Sequence, residues 1–383
     1  MDRIKQVFFA LVLLAAASIL CACTRAAQLE DQAYILVMGL DRTQNGIEMC
    51  VSIPKISGGG QQGSSGSDDE NYMNLSIKAN DFEDALEKMD WASPRSVNYS
   101  QLKLIVISKE LAQLEQMRAL IESIAQTERL YTATKVAVCE GSAVEFVEAI
   151  KPFIGIRIST DIEAMFDHYN DRGYLPESSL ADLFYQTVSV YSDPMTACAI
   201  LDKKAPEESN VKAASALSGS VEQVSGEYQS DIPTRYLGAA LFKDGIMRGN
   251  LNGEQTVIVN LLRNELDSFR YSCDGQSLEF VPARNTFIKV DTSTEPVKIT
   301  LNLRLSFSAQ ERIPDENILR SSLKDDILKT IDAARELGCE PFGFAERAAR
   351  KFLTLESWID YNWKDRYKTA DIDVIINFAQ SDT

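Results

Sequence analysis

Val297, Ile299, Leu301, Leu303, Leu305 and Phe307 alternate without a break with Lys298, Thr300, Asn302, Arg304, Ser306 and Ser308. Successive side chains of a strand point to opposite faces, so this run demands a long antiparallel strand with one apolar and one wet face. The chain closes on a second alternation, Ile372, Val374, Ile376 and Phe378, which is expected to pair into the same sheet. Between the two, Pro314-Asp315-Glu316 opens a helix with Leu319, Leu323, Ile327, Leu328 and Ile331 on one side. Gly338 closes that helix, and a second contains Ala345 to about Asn362. Residues 273–383 therefore read as a C-terminal α/β domain.

Upstream the pattern is mixed. Tyr34 to Asp41 reads as a buried strand that Asn45-Gly46 turns into the alternating Ile47, Met49, Val51 and Ile53. Ser57 to Asp69 is rich in Gly, Ser and Gln and reads as a loop, followed by strand-like Tyr72 to Ala79. Asn80 is placed to cap a helix with Phe82, Ala85, Leu86 and Met89 on its apolar face. Strands at Leu102 to Ile107 and Thr134 to Val138 precede helical sequence at Glu110 to Ile124 and Ser142 to Ile150. Ser178 or Ser179 caps a helix carrying Leu180, Leu183 and Phe184. Beyond Asp193-Pro194 the character changes: Lys203 to Asn210 is charged, and Ser215 to Ser230 reads as a surface loop or linker. Gly238 to Phe242, the turn Lys243-Asp244-Gly245, the return strand Ile246 to Leu251 and helical Glu254 to Asp267 form a small unit. The expected class is α+β, with three mixed α/β domains, each a largely antiparallel sheet with packed helices: residues 23–195, 196–272 and 273–383.

Residues 1–22 stand apart. Arg3 and Lys5 precede an uncharged run from Val7 to Leu20, too short to span a bilayer and laid out as a secretory signal. Leu20-Cys21-Ala22-Cys23 closes it, with a leucine three before and a small residue one before Cys23. That spacing makes 1–22 a lipoprotein signal peptide and Cys23 the lipidated first residue of the mature protein, with two or three acyl chains as a durable anchor. An ordinary cleaved signal peptide is the alternative. The net charge of −17 argues against a nucleic-acid or anionic-lipid partner held by simple electrostatics. Cys50, Cys139, Cys198, Cys273 and Cys339 are widely spaced and fit neither a disulfide framework nor a zinc site, so they read as small buried residues.

Four stretches give the chain a family likeness: Ala33 to Asp41 soon after the lipidated start, Tyr99 to Ala112, Gly238 to Gly245, and Glu340-Pro341-Phe342-Gly343-Phe344-Ala345-Glu346 followed by Trp358 and Trp363. In this order and spacing the chain resembles the Ger(x)C family, the lipoprotein C subunits of endospore germinant receptors. It departs from the family in having Thr24-Arg25 after the cysteine in place of Trp-Asp, and Glu340 in place of Asp. The resemblance implies three mixed α/β domains, no known catalysis, and assembly with a polytopic A subunit and a transporter-like B subunit in the spore inner membrane. The protein would be lipid-anchored on the extracytoplasmic face and required for nutrient-triggered germination. It implies no cofactor.

The residues themselves offer little chemistry. The sole histidine, His168, stands in Asp167-His168-Tyr169-Asn170-Asp171, where acid/base work or metal ligation competes with a plain polar helix surface. Ser321-Ser322-Leu323-Lys324 matches Ser-x-x-Lys, but its Ser-Asp-Asn and Lys-Thr-Gly companions are missing, and it falls on an amphipathic helix. Gly58-Gly59-Gly60 lacks the residues of a phosphate loop. Phe342, Phe344, Trp358 and Trp363 form either an exposed docking surface or, as the stronger reading, a C-terminal core. No catalytic or metal residue is assigned. The rival function is a solute-binding lipoprotein of an importer, which needs two comparable lobes around a cleft.

Overall fold

The computed structural model describes residues 31–55, 71–152, 157–201, 234–283, 287–308 and 315–381, with Arg3, Gln6 and Phe8 as isolated positions. Cys23 and its signal, the segment Ser57 to Asp69, the stretches Lys203 to Asn210 and Ser215 to Ser230, and Pro314 lie outside the described residues. Among those described, no helix is long and apolar enough to cross a membrane.

The fold is α+β, built on an eight-stranded sheet, a five-stranded sheet, a short two-stranded pair and packed helices. Strands β1 (Gln32–Tyr34), β2 (Val37–Thr43), β3 (Gly46–Pro54) and β4 (Tyr72–Ala79) lead into helix α1 (Phe82–Ala92). Asp81, not Asn80, caps α1, its side chain accepting from the Asp84 N–H at 2.9 Å. Then come β5 (Ser96–Asn98), β6 (Leu104–Ser108), α2 (Lys109–Ala112), α3 (Met117–Gln126) and β7 (Lys135–Cys139). Helices α4 (Ala143–Ala149), α5 (Ile158–Asp171) and α6 (Leu180–Val188) precede β8 (Met195–Leu201), β9 (Thr234–Lys243) and β10 (Ile246–Leu251). Ser179 is the residue that caps α6.

Eight strands form one sheet in the order β10-β9-β8-β7-β6-β2-β3-β4. Its two ends are antiparallel hairpins, and its centre is parallel, β2 with β6, β6 with β7 and β7 with β8. Parallel neighbours need crossovers, which place helices on both faces. That accounts for the unbroken apolar run in β6. Ile105 and Ile107 face α1, α3 and α6 with Phe82, Ile121 and Leu183, while Leu104 and Val106 face α4 and α5 with Phe146 and Phe166. The sheet also corrects a boundary. The strands β9 and β10, expected to found a separate middle unit at 196–272, extend the N-terminal sheet through β8, an unexpected strand that hydrogen-bonds to β7 in parallel and to β9 antiparallel.

Helix α7 (Gly253–Arg263), opened by an Asn252/Gln255 capping box, leads to a second, five-stranded sheet. Its members are β11 (Phe269–Cys273), β12 (Gln276–Pro282), β13 (Phe287–Asp291), β14 (Lys298–Ser308) and β15 (Asp371–Ser381). The alternation of β14 appears as predicted: Ile299, Leu301, Leu303, Leu305 and Phe307 are buried. It is antiparallel to β12 and β13, and parallel to β15 along its whole length, Lys298 opposite Asp371 through Ser308 opposite Ser381. Between them runs α8 (Glu316–Glu336), with Leu319, Leu323, Ile327 and Ile331 buried on the sheet. The second expected helix, Ala345 to Asn362, is broken. It divides into α9 (Phe344–Ala349) and α10 (Leu355–Tyr361), because Thr354 starts a new capping box, and Asn362, at φ 51°, adopts the left-handed conformation that ends α10 before a further helix, α11 (Trp363–Lys368).

Candidate functional site

The family-like stretches serve packing between elements that are distant in sequence. Gly39 lies where α4 crosses β2, and a Cβ there would stand 2.6 Å from the Ala143 carbonyl oxygen. Two residues on, the Asp41 carboxylate accepts the Ser142 hydroxyl, the Ala143 N–H at 2.7 Å and the Val144 N–H at 3.2 Å. A carboxylate at the positive end of a helix satisfies donors that otherwise have no partner. The Gly238 to Gly245 stretch is β9 and its hairpin turn, with Asp244 at φ 54° and Gly245 at φ 80° as a two-residue hairpin loop needs. A Cβ on Gly245 would stand 2.6 Å from Cβ of Arg118, so the turn lies directly against α3.

The fourth stretch forms the core of the junction between the two sheets. The Glu340 side chain is buried, and its oxygens accept the Phe344 N–H at 3.0 Å and the Ala345 N–H at 2.8 Å. Its own N–H donates to Asp193 Oδ2 at 2.8 Å, and Asp193 in turn is held by Lys243 Nζ at 2.7 Å from both oxygens. Asp193 precedes β8, Lys243 ends β9 and Glu340 follows α8, so three segments meet through one charged chain. Burial pushes the Glu340 carboxyl from 4.5 up to about 7, opposed by the N–H groups of Ala345 and Phe344 and reinforced by Asp193.

Around this chain the aromatics form a continuous stack, Trp358 to Trp363 at 5.9 Å, Trp363 to Tyr367 at 5.8 Å, and Phe342 to Phe344 at 5.3 Å. All five residues are buried, so the core reading of Phe342, Phe344, Trp358 and Trp363 holds and the docking-surface reading does not. Arg335 lies over the Tyr367 ring at 4.9 Å, and the Trp358 indole donates to the Val190 carbonyl at 3.3 Å, tying α10 to the segment before β8. A cleft of about 880 Å³ opens here, lined among others by Arg118, Lys243, Arg248, Glu340, Trp363 and Lys364. Lys364 bridges its rim to Asp244 at 2.8 Å. The arrangement joins two bodies firmly and leaves a groove of mixed lining along the seam.

The other sequence candidates lie apart from it and from one another. His168 is exposed on the last turn of α5. Ser321 is exposed on α8, where its hydroxyl donates to the Ile318 carbonyl at 3.0 Å, and Lys324 Nζ stands 4.0 Å from Asp373. Cys50, Cys139, Cys198, Cys273 and Cys339 are free and buried. Asp41, Asp193 and Lys243 were not singled out as site residues. Their partners lie from 50 to 147 residues away in sequence, which no local pattern reports.

Residues 25–199 match the family model described as "Spore germination protein N-terminal domain", and residues 237–379 match that described as "Spore germination B3/ GerAC like, C-terminal". Spore germination protein KC of Bacillus subtilis (strain 168) is 26% identical over 153 residues, a match that spans 39% of this chain and 38% of that protein's length. The crystal structure of the GerBC protein aligns with a TM-score of 0.52 at 11% identity, covering 90% of this chain and 96% of that one, and shows the likeness of fold. The two matched regions meet at the Asp193–Lys243–Glu340 junction, and with both present the chain belongs to the Ger(x)C family of spore germinant receptor C subunits.

Proposed function

We propose that the protein is a non-enzymatic, lipid-anchored receptor subunit, held through acyl chains on Cys23 at the extracytoplasmic face of the spore inner membrane. There it docks on the A and B membrane subunits and supports nutrient-triggered germination. The observation that carries this reading is how the family-like residues are used: Gly39, Asp41, Gly245 and Glu340 hold elements together and do not converge on a reactive centre. A body whose distinctive residues set its shape suits a part that works by fitting others. The importer reading is weaker, because the two bodies beside the cleft, one built on an eight-stranded sheet and the other on a five-stranded sheet, are not comparable lobes.

Fractionation of spores carrying Cys23→Ala tests the anchor. The variant protein is expected to fold and to leave the membrane fraction, and mass spectrometry of the wild-type N-terminus is expected to find acylated Cys23. An unmodified N-terminus other than Cys23 overturns the anchor. Co-purification with the A and B subunits tests docking, and its absence from solubilised wild-type membranes overturns that part. His168→Ala and Ser321→Ala are each expected to leave germination near normal; loss of germination at unchanged protein level in either reopens an enzymatic role.

A further inference from the structure

The described chain begins beside an exposed aromatic pair. Strand β1 runs parallel to β5 with Gln32 opposite Ser96, and parallel strands enter from the same end. The polypeptide leading back to Cys23 therefore leaves the body next to Arg95. Trp91, 76% exposed, lies in the last turn of α1, joined to Arg95 by a turn in which the Ser93 hydroxyl donates to the Arg95 carbonyl at 2.7 Å. Tyr131, 61% exposed, is brought to the same end by Arg129, whose guanidinium holds Asp90 at 2.7 Å. Arg95 and Arg129 are the charged residues within Trp91 to Ser96 and Arg129 to Ala133, and of the acids that flank these stretches, Asp90 and Glu128, the first is paired with Arg129. Indole and phenol rings combine an apolar body with a polar tip and favour the boundary between lipid and water.

The tether selects what covers these rings. From Cys23 to Asp31 a fully extended chain reaches at most about 29 Å, so an anchor at Cys23 keeps this pole of the body near the bilayer. Resting on the reading of Cys23 as the anchored residue, we propose that Trp91 and Tyr131, rimmed by Arg95 and Arg129, form the face that contacts the lipid surface. The rings enter the headgroup layer and fix the orientation in which the rest of the body is presented. The overall negative charge supplies no long-range attraction to an anionic leaflet, so the contact depends on ring insertion and on the tether.

The test uses residues 23–383 coupled through the Cys23 thiol to a maleimide-bearing lipid in phosphatidylcholine vesicles, with and without bromine on the acyl chains. The coupling does not depend on natural lipidation. The other five cysteines are buried, with the thiols of Cys50, Cys198 and Cys339 pushed up to about 12 by burial, so Cys23 is the reactive one. Of the three tryptophans, Trp358 and Trp363 are buried, which leaves Trp91 as the reporter of the surface. On vesicles its emission is expected to shift to the blue and to be quenched by brominated chains, and both changes are expected to vanish in Trp91→Phe. Equal emission on brominated and plain vesicles overturns the proposal and assigns the aromatic pair to a protein contact instead. Quenching in the coupled protein, alongside an unacylated N-terminus in spores, means that the face inserts when tethered but overturns the proposal for the natural protein, because the anchor that selects the lipid surface is then missing.

Discussion

At the scale of single residues, two carboxylates, the buried Glu340 and the partly buried Asp41, carry the testable physics. Glu340 titrates near 7 in the folded chain and at 4.5 when exposed, so between these values the folded state holds a proton that the unfolded state has lost. Its contribution is complete below 4.5 and is lost as pH rises through about 7. Glu340→Gln cannot titrate, so the melting temperature of the variant relative to wild type should climb from pH 5 to pH 8. A constant difference across that range would contradict the burial of this group. Asp41 acts differently, as a cap for α4, and Asp41→Ala leaves the Ser142, Ala143 and Val144 donors without their acceptor. Thermal or urea denaturation should register a loss of about 1–2 kcal/mol, and Asp41→Asn, which keeps one acceptor oxygen, a smaller one.

At the scale of elements, β15 is the strand whose role the alternation defines. Val374 and Ile376 point into the core at 4% and 3% exposure, while Ile375 between them is 41% exposed. Ile376→Ala should destabilise by ~2–5 kcal/mol, whereas Ile375→Ala should change stability by no more than about 0.5 kcal/mol. Equal losses in a denaturant titration would rule out the one-sided burial. Deleting residues 371–383 removes the whole parallel ladder on β14 and should unfold the C-terminal region and abolish assembly with the membrane subunits. Deleting Gly58 to Ser67 should be tolerated, since that Gly/Ser-rich sequence offers almost no apolar side chain to a core. Melts and co-purification of both deletions decide the matter. Periodicity revealed β14, β15 and α8 because a strand or helix writes its own repeat into adjacent residues. The break between α10 and α11 depends on the left-handed Asn362, and a lone Asn marks such a site only weakly.

At the scale of the whole molecule, the two sheets share one apolar core, in which Met195, Leu241 and Leu251 cluster with residues of the second sheet, and a polar junction is set beside it. The Lys243–Asp193 pair is mostly buried, with side-chain exposures of 16% and 12%, and Asp193 also receives the Glu340 N–H. Lys243→Ala leaves that carboxylate without its cation and should lower stability by ~2–3 kcal/mol, less than a fully enclosed pair because both groups keep some contact with water. Calorimetry should show one cooperative transition for the wild type and a separation into two for the variant. A variant that still melts in one transition at the wild-type temperature would mean that the junction does not couple the two sheets.

What the sequence determined by itself was local: the alternations, the Asp244-Gly245 hairpin, the long helix between Asp315 and Gly338, and the four stretches that led to the family. Each is set by residues a few positions apart, where propensity and period act. Only the tertiary structure decided that β8, β9 and β10 extend the first sheet, that β15 runs parallel to β14, and that Glu340 lies in a charged chain with Asp193 and Lys243. Those outcomes depend on pairings such as Asp41 with Ala143, 102 residues apart, and Glu340 with Asp193, 147 apart. Strand order and direction come from which buried faces meet once the helices are laid down, a choice made by packing and hydrogen bonding across the whole chain, with no repeat along it to betray the partner.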